Sequence, residues 1–338
     1  MEQFPPPPST PQLRFETGVA VNRQFLIVSC SKLEERFDGF ARLCLFTPDK
    51  PMQWRYFDLP LTISAAALQS AGGSDGSAQA FVFAAEDGDI VRLPVGKPPV
   101  MERIAGAGLW DDDSEGWGYM NAVRQIGARL YACGDGGQVY CRENHGEGDS
   151  EGEGEWVHVD HGLLQPAEGE HNLMLNAIAG PGEDSIYLAG WDSDRNAGLL
   201  FHRGADGAWT PVPVETAKLT GLCVEGPDAV WACGHGGALL HGSHAGGFTD
   251  VSALDDTRNY SDVAIYGDKV YLATAEGLFL REGGAVEPVD TGLVPAHADG
   301  HVLQAVDGVL WSIGYRDIVR FDGTSWERIV FPGNPPIA

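Results

Sequence analysis

The sequence repeats a short pattern in which an aromatic residue is followed three positions later by glycine, or by a residue in its place. The aromatic residues of the six copies are Phe81, Tyr131, Tyr187, Trp231, Tyr271 and Trp311, which lie 40 to 56 residues apart. Each copy lies between short apolar runs separated by Gly, Pro or Asp turns, without a helical apolar stripe. Four short strands per repeat of roughly 40–45 residues are typical of a β-propeller blade. The repeats therefore predict an all-β propeller of four-stranded antiparallel blades.

Seven blades account for the repeats, although six or eight remain open because the first two units match weakly. The predicted blade spans are 15–59, 61–105, 119–162, 173–214, 218–252, 259–290 and 300–333. We expect one propeller domain at 15–333, between a Pro-rich tail at 1–14 and a short tail at 334–338. The second strand of each blade should be buried, since its apolar run is nearly continuous.

The cysteines fit the interior of such blades. None of the six forms a CxxC pair, and Cys133 and Cys233 occupy equivalent positions just before a glycine turn. We interpret them as small buried hydrophobic residues that stay reduced.

The charge balance limits the classes of partner. There are 22 Lys+Arg against 48 Asp+Glu, which gives a formal net charge of −26. This predicts no binding to nucleic acid or anionic membrane, because both need basic side chains, and it favours a basic protein partner. The amino terminus lacks the basic and apolar regions of a signal peptide, so we expect a cytoplasmic protein.

Motifs for catalysis or cofactors are missing. The sequence has no G-x-S-x-G, H-E-x-x-H or P-loop pattern, so no enzyme activity and no cofactor are expected. His297, Asp299 and His301 alternate along the chain and form a candidate zinc site, although adjacent Gly300 indicates a turn. A glycoside hydrolase or lyase that uses acidic loop residues remains an alternative.

Chain direction in a propeller brings the links between blades and the links between second and third strands to one face. These links are rich in acidic and aromatic residues, a combination that suits protein binding. The residues predicted to bind a partner are Trp110, Asp111, Asp112, Asp113, Glu115, Trp117, Trp191, Asp192, Asp194, Asp255, Asp256, Tyr260, Asp262, Asp299 and Tyr315. Glu168 and Glu170 lie in the same links, and the Gly/Glu-rich segment 143–156 is expected to be a mobile insertion on the opposite edge.

The turns CGDGGQV at 133–139 and CGHGGAL at 233–239 resemble those of bacterial BNR-like and photosystem-assembly-factor propellers. The segment IGYRDIV departs from that motif, with Asp317 in the place of its second glycine. Taken as a whole, the acidic propeller also resembles immunity proteins that guard bacteria against secreted antibacterial effectors, including type VI secretion toxins. That resemblance implies a cytosolic inhibitor of a basic, nuclease-type toxin; a structural assembly factor is the other alternative.

Overall fold

The computed structural model describes residues 2–34, 39–50, 52–70, 79–144, 154–166, 172–297 and 299–337. Within these ranges the backbone is strand, turn and bend, apart from one 3-10 turn at His235–Gly237. No helix in the described part of the chain is long and apolar enough to cross a lipid bilayer.

The described residues form seven four-stranded sheets, called blades 1 to 7, in which the strands follow chain order. Blades 1 to 3 contain β1 (Leu13–Ala20), β2 (Leu26–Lys32), β3 (Ala41–Phe46), β4 (Trp54–Leu59), β5 (Ile63–Gln69), β6 (Ala80–Ala85), β7 (Asp89–Pro94), β8 (Val100–Arg103), β9 (Met120–Ile126), β10 (Arg129–Gly134), β11 (Val139–Asn144) and β12 (Gly154–His158). Blades 4 to 7 contain β13 (Leu173–Gly182), β14 (Ser185–Asp192), β15 (Ala197–Gly204), β16 (Trp209–Pro211), β17 (Leu219–Gly226), β18 (Ala229–Gly234), β19 (Leu239–Ser243), β20 (Gly247–Asp250), β21 (Tyr260–Tyr266), β22 (Lys269–Thr274), β23 (Gly277–Glu282), β24 (Ala285–Pro288), β25 (Val302–Val306), β26 (Val309–Ile313), β27 (Ile318–Phe321) and β28 (Trp326–Arg328).

The chain is therefore an all-β, seven-bladed propeller, which confirms the predicted fold class. Each predicted span contains one blade, except that β1 already begins at Leu13. The chain divides into two compact units, described separately below. The terminal unit, residues 1–63 and 252–338, contains blades 1, 6 and 7, and the central unit, residues 64–251, contains blades 2 to 5.

Second strands are the most deeply buried parts of both units. All residues of β6 and β26 are buried, and in β18 only the first residue is partly accessible. The outer strand β4 instead alternates at its start between buried and exposed residues. This is the expected pattern, because an inner strand is covered on both faces whereas an outer strand has one face in solvent.

The glycine that ends the repeated pattern has a steric role. A Cβ atom at Gly134 would overlap the carbonyl oxygen of Tyr119, and one at Gly234 would overlap that of Lys218. The φ angle of Gly234 is −173°, so its backbone is extended and any residue could adopt it. Glycine is needed there because the chain that enters the blade passes directly over it.

The two ends of the chain meet on blade 1. The side-chain oxygen of Asn334 accepts hydrogen bonds from the backbone N–H groups of Gln12 and Leu13, both at 3.0 Å. Its side-chain nitrogen donates to the carbonyl oxygen of Leu13 at 2.8 Å. Three hydrogen bonds from one buried amide thus attach the C-terminal segment to the start of β1.

Aromatic packing reinforces this attachment. The ring of Phe331 lies 5.2 Å from Phe4, 4.9 Å from Phe15 and 5.1 Å from Trp54, measured between centroids. The indole nitrogen of Trp54 also donates to the carbonyl oxygen of Val330 at 2.8 Å. We call these contacts and the Asn334 hydrogen bonds the terminal clasp. Blades 1 and 7 exchange no strand, so the clasp joins the segment after blade 7 to blade 1 itself.

Asn334→Ala should lower the free energy of unfolding by about 1–3 kcal/mol, because it removes the acceptor of backbone N–H groups at a buried site. Urea denaturation measures the change. Ile337→Ala is the control, since Ile337 lies in the same segment but is partly exposed. If Asn334→Ala is as stable as the control, the clasp does not stabilise the fold.

Thiol labelling of the native protein should be slow at Cys133 and Cys233, whose side chains are fully buried. Burial also raises the pKa of the Cys133 thiol, which keeps it in the unreactive protonated form. Cys223, which is only partly buried, provides an internal comparison and should be labelled first. Mass spectrometry of the labelled peptides over time would contradict the assignment if all three reacted at one rate.

Candidate functional site

The link between β8 and β9, residues 105–119, displays two large apolar side chains. Trp110 is 75 % exposed, and the adjacent Leu109 is also exposed. The indole nitrogen of Trp110 donates to the hydroxyl of Tyr119 at 2.9 Å. This bond holds one edge of the ring, while most of the ring surface stays open to solvent. We call residues 105–119 the anchor loop; it lies entirely in the central unit.

Two residues outside the anchor loop hold its backbone. A carboxylate oxygen of Asp87 accepts hydrogen bonds from the N–H groups of Leu109 at 3.0 Å and Trp110 at 3.3 Å. Arg103 donates to the carbonyl oxygens of Asp87 and Ala107. The loop is therefore attached to blade 2 directly beneath its exposed residues.

Arg103 also pairs with loop carboxylates. Its guanidinium lies 2.7 Å from Asp111 and 2.6 Å from Asp113. Partial burial favours the neutral form of Arg103, but the hydrogen bond to Asp113 and the charge of Asp111 prevail and raise its pKa. The same hydrogen bond lowers the pKa of Asp113. Asp112 is exposed and has no hydrogen bond or ion pair within the described residues.

Trp117 has a different environment from Trp110. It is only 8 % exposed, its indole nitrogen donates to the carbonyl oxygen of Gln165 at 2.9 Å, and its ring packs edge-on against His158. The side chain of Glu115 remains exposed on the loop surface. Trp117 thus fastens the anchor loop to blade 3, whereas Trp110 points outward.

The other predicted residues of the central unit, Trp191, Asp192 and Asp194, lie at the end of β14 and in the turn that follows it. The Asp192 carboxylate accepts hydrogen bonds from the backbone N–H groups of Asp194 and Arg195, at 3.1 and 3.0 Å. Trp191 donates to the Asn196 side chain at 3.3 Å and is only partly buried. Residues 194–196 of this turn are exposed. Trp191 and Asp194 therefore present a smaller mixed surface than the anchor loop does.

In the terminal unit, the link before β21 places its two neighbouring carboxylates, Asp255 and Asp256, in different environments. Asp255 is exposed, whereas the Asp256 side chain is 2 % exposed and binds Arg258 at 2.9 Å as well as the hydroxyl of Tyr260. Burial raises the pKa of Tyr260, and the Asp256 carboxylate adds to the shift. An open polar pocket of about 420 Å³ lies here, with Glu276 on its wall.

The remaining predicted residues of the terminal unit hold backbone or pack internally. Asp262 accepts a hydrogen bond from the N–H group of Leu303 at 2.9 Å. Burial raises the pKa of Asp299, which is mostly enclosed. Tyr315 stacks on His301 with a 4.8 Å centroid separation. Whether any of these residues touches a partner stays a prediction. Glu168, Glu170 and most of segment 143–156 lie outside the described residues.

The candidate zinc site at His297, Asp299 and His301 has a different arrangement in the structure. Both ring nitrogens of His297 have protein partners, Asp317 at 2.9 Å and Ser312 at 3.1 Å. No group of three or more metal-binding side chains occurs among the residues that the structure describes. The candidate zinc site is thus replaced, at His297, by a hydrogen-bonded relay from serine to histidine to aspartate.

This relay resembles a hydrolase triad only in its order of residues. Ser312 is fully buried at the end of β26, and Asp317 also binds Arg328 at 2.9 Å. A fully buried serine has no access to a substrate. The relay instead has a structural role, because its hydrogen bonds join the link before β25 to blade 7. Sequence reasoning missed it, although the polar Ser312 within the apolar run VLWSI was a visible signal.

Comparison with known proteins places the chain in a family. It is 34 % identical over 221 residues to the protein named immune protein Tsi7 from Pseudomonas aeruginosa, a match that covers 65 % of this chain and 67 % of that protein. The chain belongs to the Tsi7 family. A scan against protein-family models finds no match.

Solved structures agree on the architecture that this Tsi7-family chain adopts. The WD40 β-propeller domain of Doa1 superposes with a TM-score of 0.56 at 13 % identity, covering 94 % of this chain and 95 % of that one. The RRP9 WD40 repeats give 0.60 at 10 %, with 93 % of each chain covered, and U3-55K gives 0.59 at 11 %, with 98 % of each. Identities this low show the fold alone. The likeness to BNR-like propellers stays an expectation from the turn motif.

Asp317→Asn should lower the free energy of unfolding by roughly 2–4 kcal/mol at neutral pH, because it removes the carboxylate that faces His297 and Arg328. Burial alone would raise the pKa of Asp317, but the hydrogen bonds from His297 and Arg328 lower it below its ordinary 3.8. A lowered folded-state pKa gives stability that is present above 3.8 and lost as the pH falls through the folded value.

The stability difference between Asp317→Asn and the unmodified protein should therefore shrink as the pH falls below 3.8. Urea denaturation across a pH series measures this difference. Asp268→Asn is the control, since Asp268 is an exposed residue between β21 and β22. A difference that stays constant with pH would show that the carboxylate charge does not stabilise the relay.

Proposed function

We propose that the chain is an immunity protein that binds and neutralises a toxin. Membership of the Tsi7 family is the observation that carries this proposal. The propeller fold supports it, because rigid blades hold loops in fixed positions and loops are the usual place of binding residues. In this role the chain acts by occupying the toxin rather than by catalysis.

We further propose that the toxin is basic and acts on nucleic acid. A nuclease needs Lys and Arg side chains to hold phosphates. A chain with a net charge of −26 complements such a surface and attracts it over several ångströms of solvent. Delivery by type VI secretion and neutralisation in the cytoplasm, where DNA is cut, complete the proposal.

The placement of the acidic residues favours binding over hydrolysis. A glycosidase needs two carboxyl groups that face one substrate across a fixed gap. Asp111 and Asp113 are instead held by Arg103, and Asp256 by Arg258. No contact among the described residues favours the hydrolase, lyase or assembly-factor alternatives over toxin binding.

The decisive experiment first asks whether a gene beside the chain's gene encodes a toxin domain, and then expresses that domain in a bacterial host, with and without the chain. We expect growth arrest and DNA degradation without the chain and normal growth with it. A catalytically inactive toxin variant should bind the purified chain. Its association rate should fall by on the order of tenfold between about 50 mM and 500 mM salt, because screening shortens the reach of the charges.

Failure of each part has its own meaning. If the chain does not restore growth against the encoded toxin, the immunity role is wrong. If it restores growth and associates at a salt-independent rate, the immunity role stands but the partner is not recognised by charge. A toxin that arrests growth and leaves DNA intact would overturn the nuclease assignment alone.

A further inference from the structure

The anchor loop combines an exposed apolar tip with a backbone that several hydrogen bonds hold in place. Exposure of 75 % leaves most of the Trp110 ring in water, and the next residue back, Leu109, is exposed as well. A tryptophan can bury roughly 150–250 Å² when it is covered, which makes it one of the strongest anchors at protein interfaces.

Close backbone packing fixes the tip from below. Gly108 has a φ of +91°, and a Cβ atom there would lie 2.5 Å from the carbonyl oxygen of Asp87. Gly108 also forms an isolated β-bridge with Gly118, which pins the start of the loop to its end. Within the loop, the N–H group of Glu115 donates to the carbonyl oxygen of Gly106 at 2.8 Å.

The three consecutive carboxylates at the tip of the loop divide into two groups, and Glu115 lies further along the loop with its side chain exposed. Asp111 and Asp113 both pair with Arg103, so they help to fix the loop although their side chains are also about half exposed. Asp112 lies between them in sequence, is exposed and has no such partner among the described residues. The exposed tip thus offers one aromatic ring together with the Asp112 carboxylate, which has no ion pair among the described residues.

We propose that the anchor loop is a preorganised docking element for the toxin. Trp110 enters an apolar pocket on the toxin surface, and Asp112 pairs with a Lys or Arg at the rim of that pocket. Asp87 and Arg103 are positioning residues that act through Trp110. This inference rests on the proposed immunity function and assigns the surface through which that function operates.

Preorganisation explains why so many contacts support so small a tip. Ordering a mobile loop on binding costs free energy and weakens the complex, whereas a loop that already has its bound shape avoids that cost. Asp87 acts at the central point, since its carboxylate holds both Leu109 and Trp110. If these two bonds are lost, the backbone beneath the ring is no longer held, and only the hydrogen bond from the indole nitrogen to Tyr119 restrains the ring.

The first test measures binding of the catalytically inactive toxin domain by surface plasmon resonance. Trp110→Ala should raise the dissociation rate at least tenfold and leave the association rate and thermal stability unchanged. Asp112→Asn should slow association about twofold and flatten its salt dependence. Val95→Ala is the matched control: Val95 is an exposed apolar residue outside the anchor loop, so this variant should bind like the unmodified chain.

The second test follows the position of the ring without any partner. The protein is labelled with 5-fluorotryptophan, and the ¹⁹F signal of Trp110 is assigned by its absence in Trp110→Phe. Asp87→Ala should shift and broaden this signal and raise the dissociation rate of the toxin. Asp87→Asn keeps a side-chain oxygen that can accept the same hydrogen bonds, so it should restore most of the signal and of the affinity.

The outcomes separate this inference from the proposed function. If the unmodified chain neutralises the toxin and Trp110→Ala binds it equally tightly, the docking element is wrong and the immunity function stands. If the unmodified chain binds no encoded toxin, the proposed function itself fails. If Asp87→Ala leaves the ¹⁹F signal unchanged, Asp87 is not a positioning residue, whatever the binding data show.

Discussion

Burial of the inner strands on both faces is the constraint on which this structure depends. A polar group in such a place must find its partners within the protein. The same requirement holds where the outer strands of neighbouring blades pack together. In the central unit, Glu102 on β8 binds Arg92 at 2.8 Å, Arg142 at 2.8 Å and the indole nitrogen of Trp156 at 3.1 Å. These side chains come from blades 2 and 3 and are almost completely buried, so one carboxylate joins two sheets. A buried ion pair of this kind adds little net stability, but removing one partner would leave a buried charge without compensation.

The same constraint explains why the blades could be predicted from the sequence. The second strand of a blade must be apolar along most of its length, so AVWACG and VLWSI are recognisable without any knowledge of their neighbours. The repeated glycine was equally informative, although its reason emerged only from the structure. At Gly134 and Gly234 the segment that enters the blade packs directly against the glycine backbone. A residue pattern alone does not reveal such a contact.

The candidate site was less predictable, because it depends on contacts between residues distant in sequence. The sequence placed Trp110 and Trp117 in one loop and gave both the same role, yet only Trp110 is exposed. The reason is the carbonyl oxygen of Gln165, which accepts a hydrogen bond from Trp117 across 48 residues. Asp255 and Asp256 differ for a similar cause, since Arg258 and Tyr260 enclose only the second. Neighbouring residues of one type thus acquired different roles from their surroundings.

Charge and shape act at different distances in the function proposed here. The excess of 48 acidic over 22 basic residues acts through solvent over about 10 Å and does not depend on the position of any one carboxylate. The ring of Trp110 acts only at contact. In the anchor loop, Arg103 offsets part of the negative charge of Asp111 and Asp113, and the same ion pairs help to fix the loop. Long-range attraction depends on the net charge of −26, so pairing two carboxylates with Arg103 weakens it only slightly. Many basic proteins would be attracted equally by that net charge, so selection of one toxin must come from the fixed shape around the exposed ring.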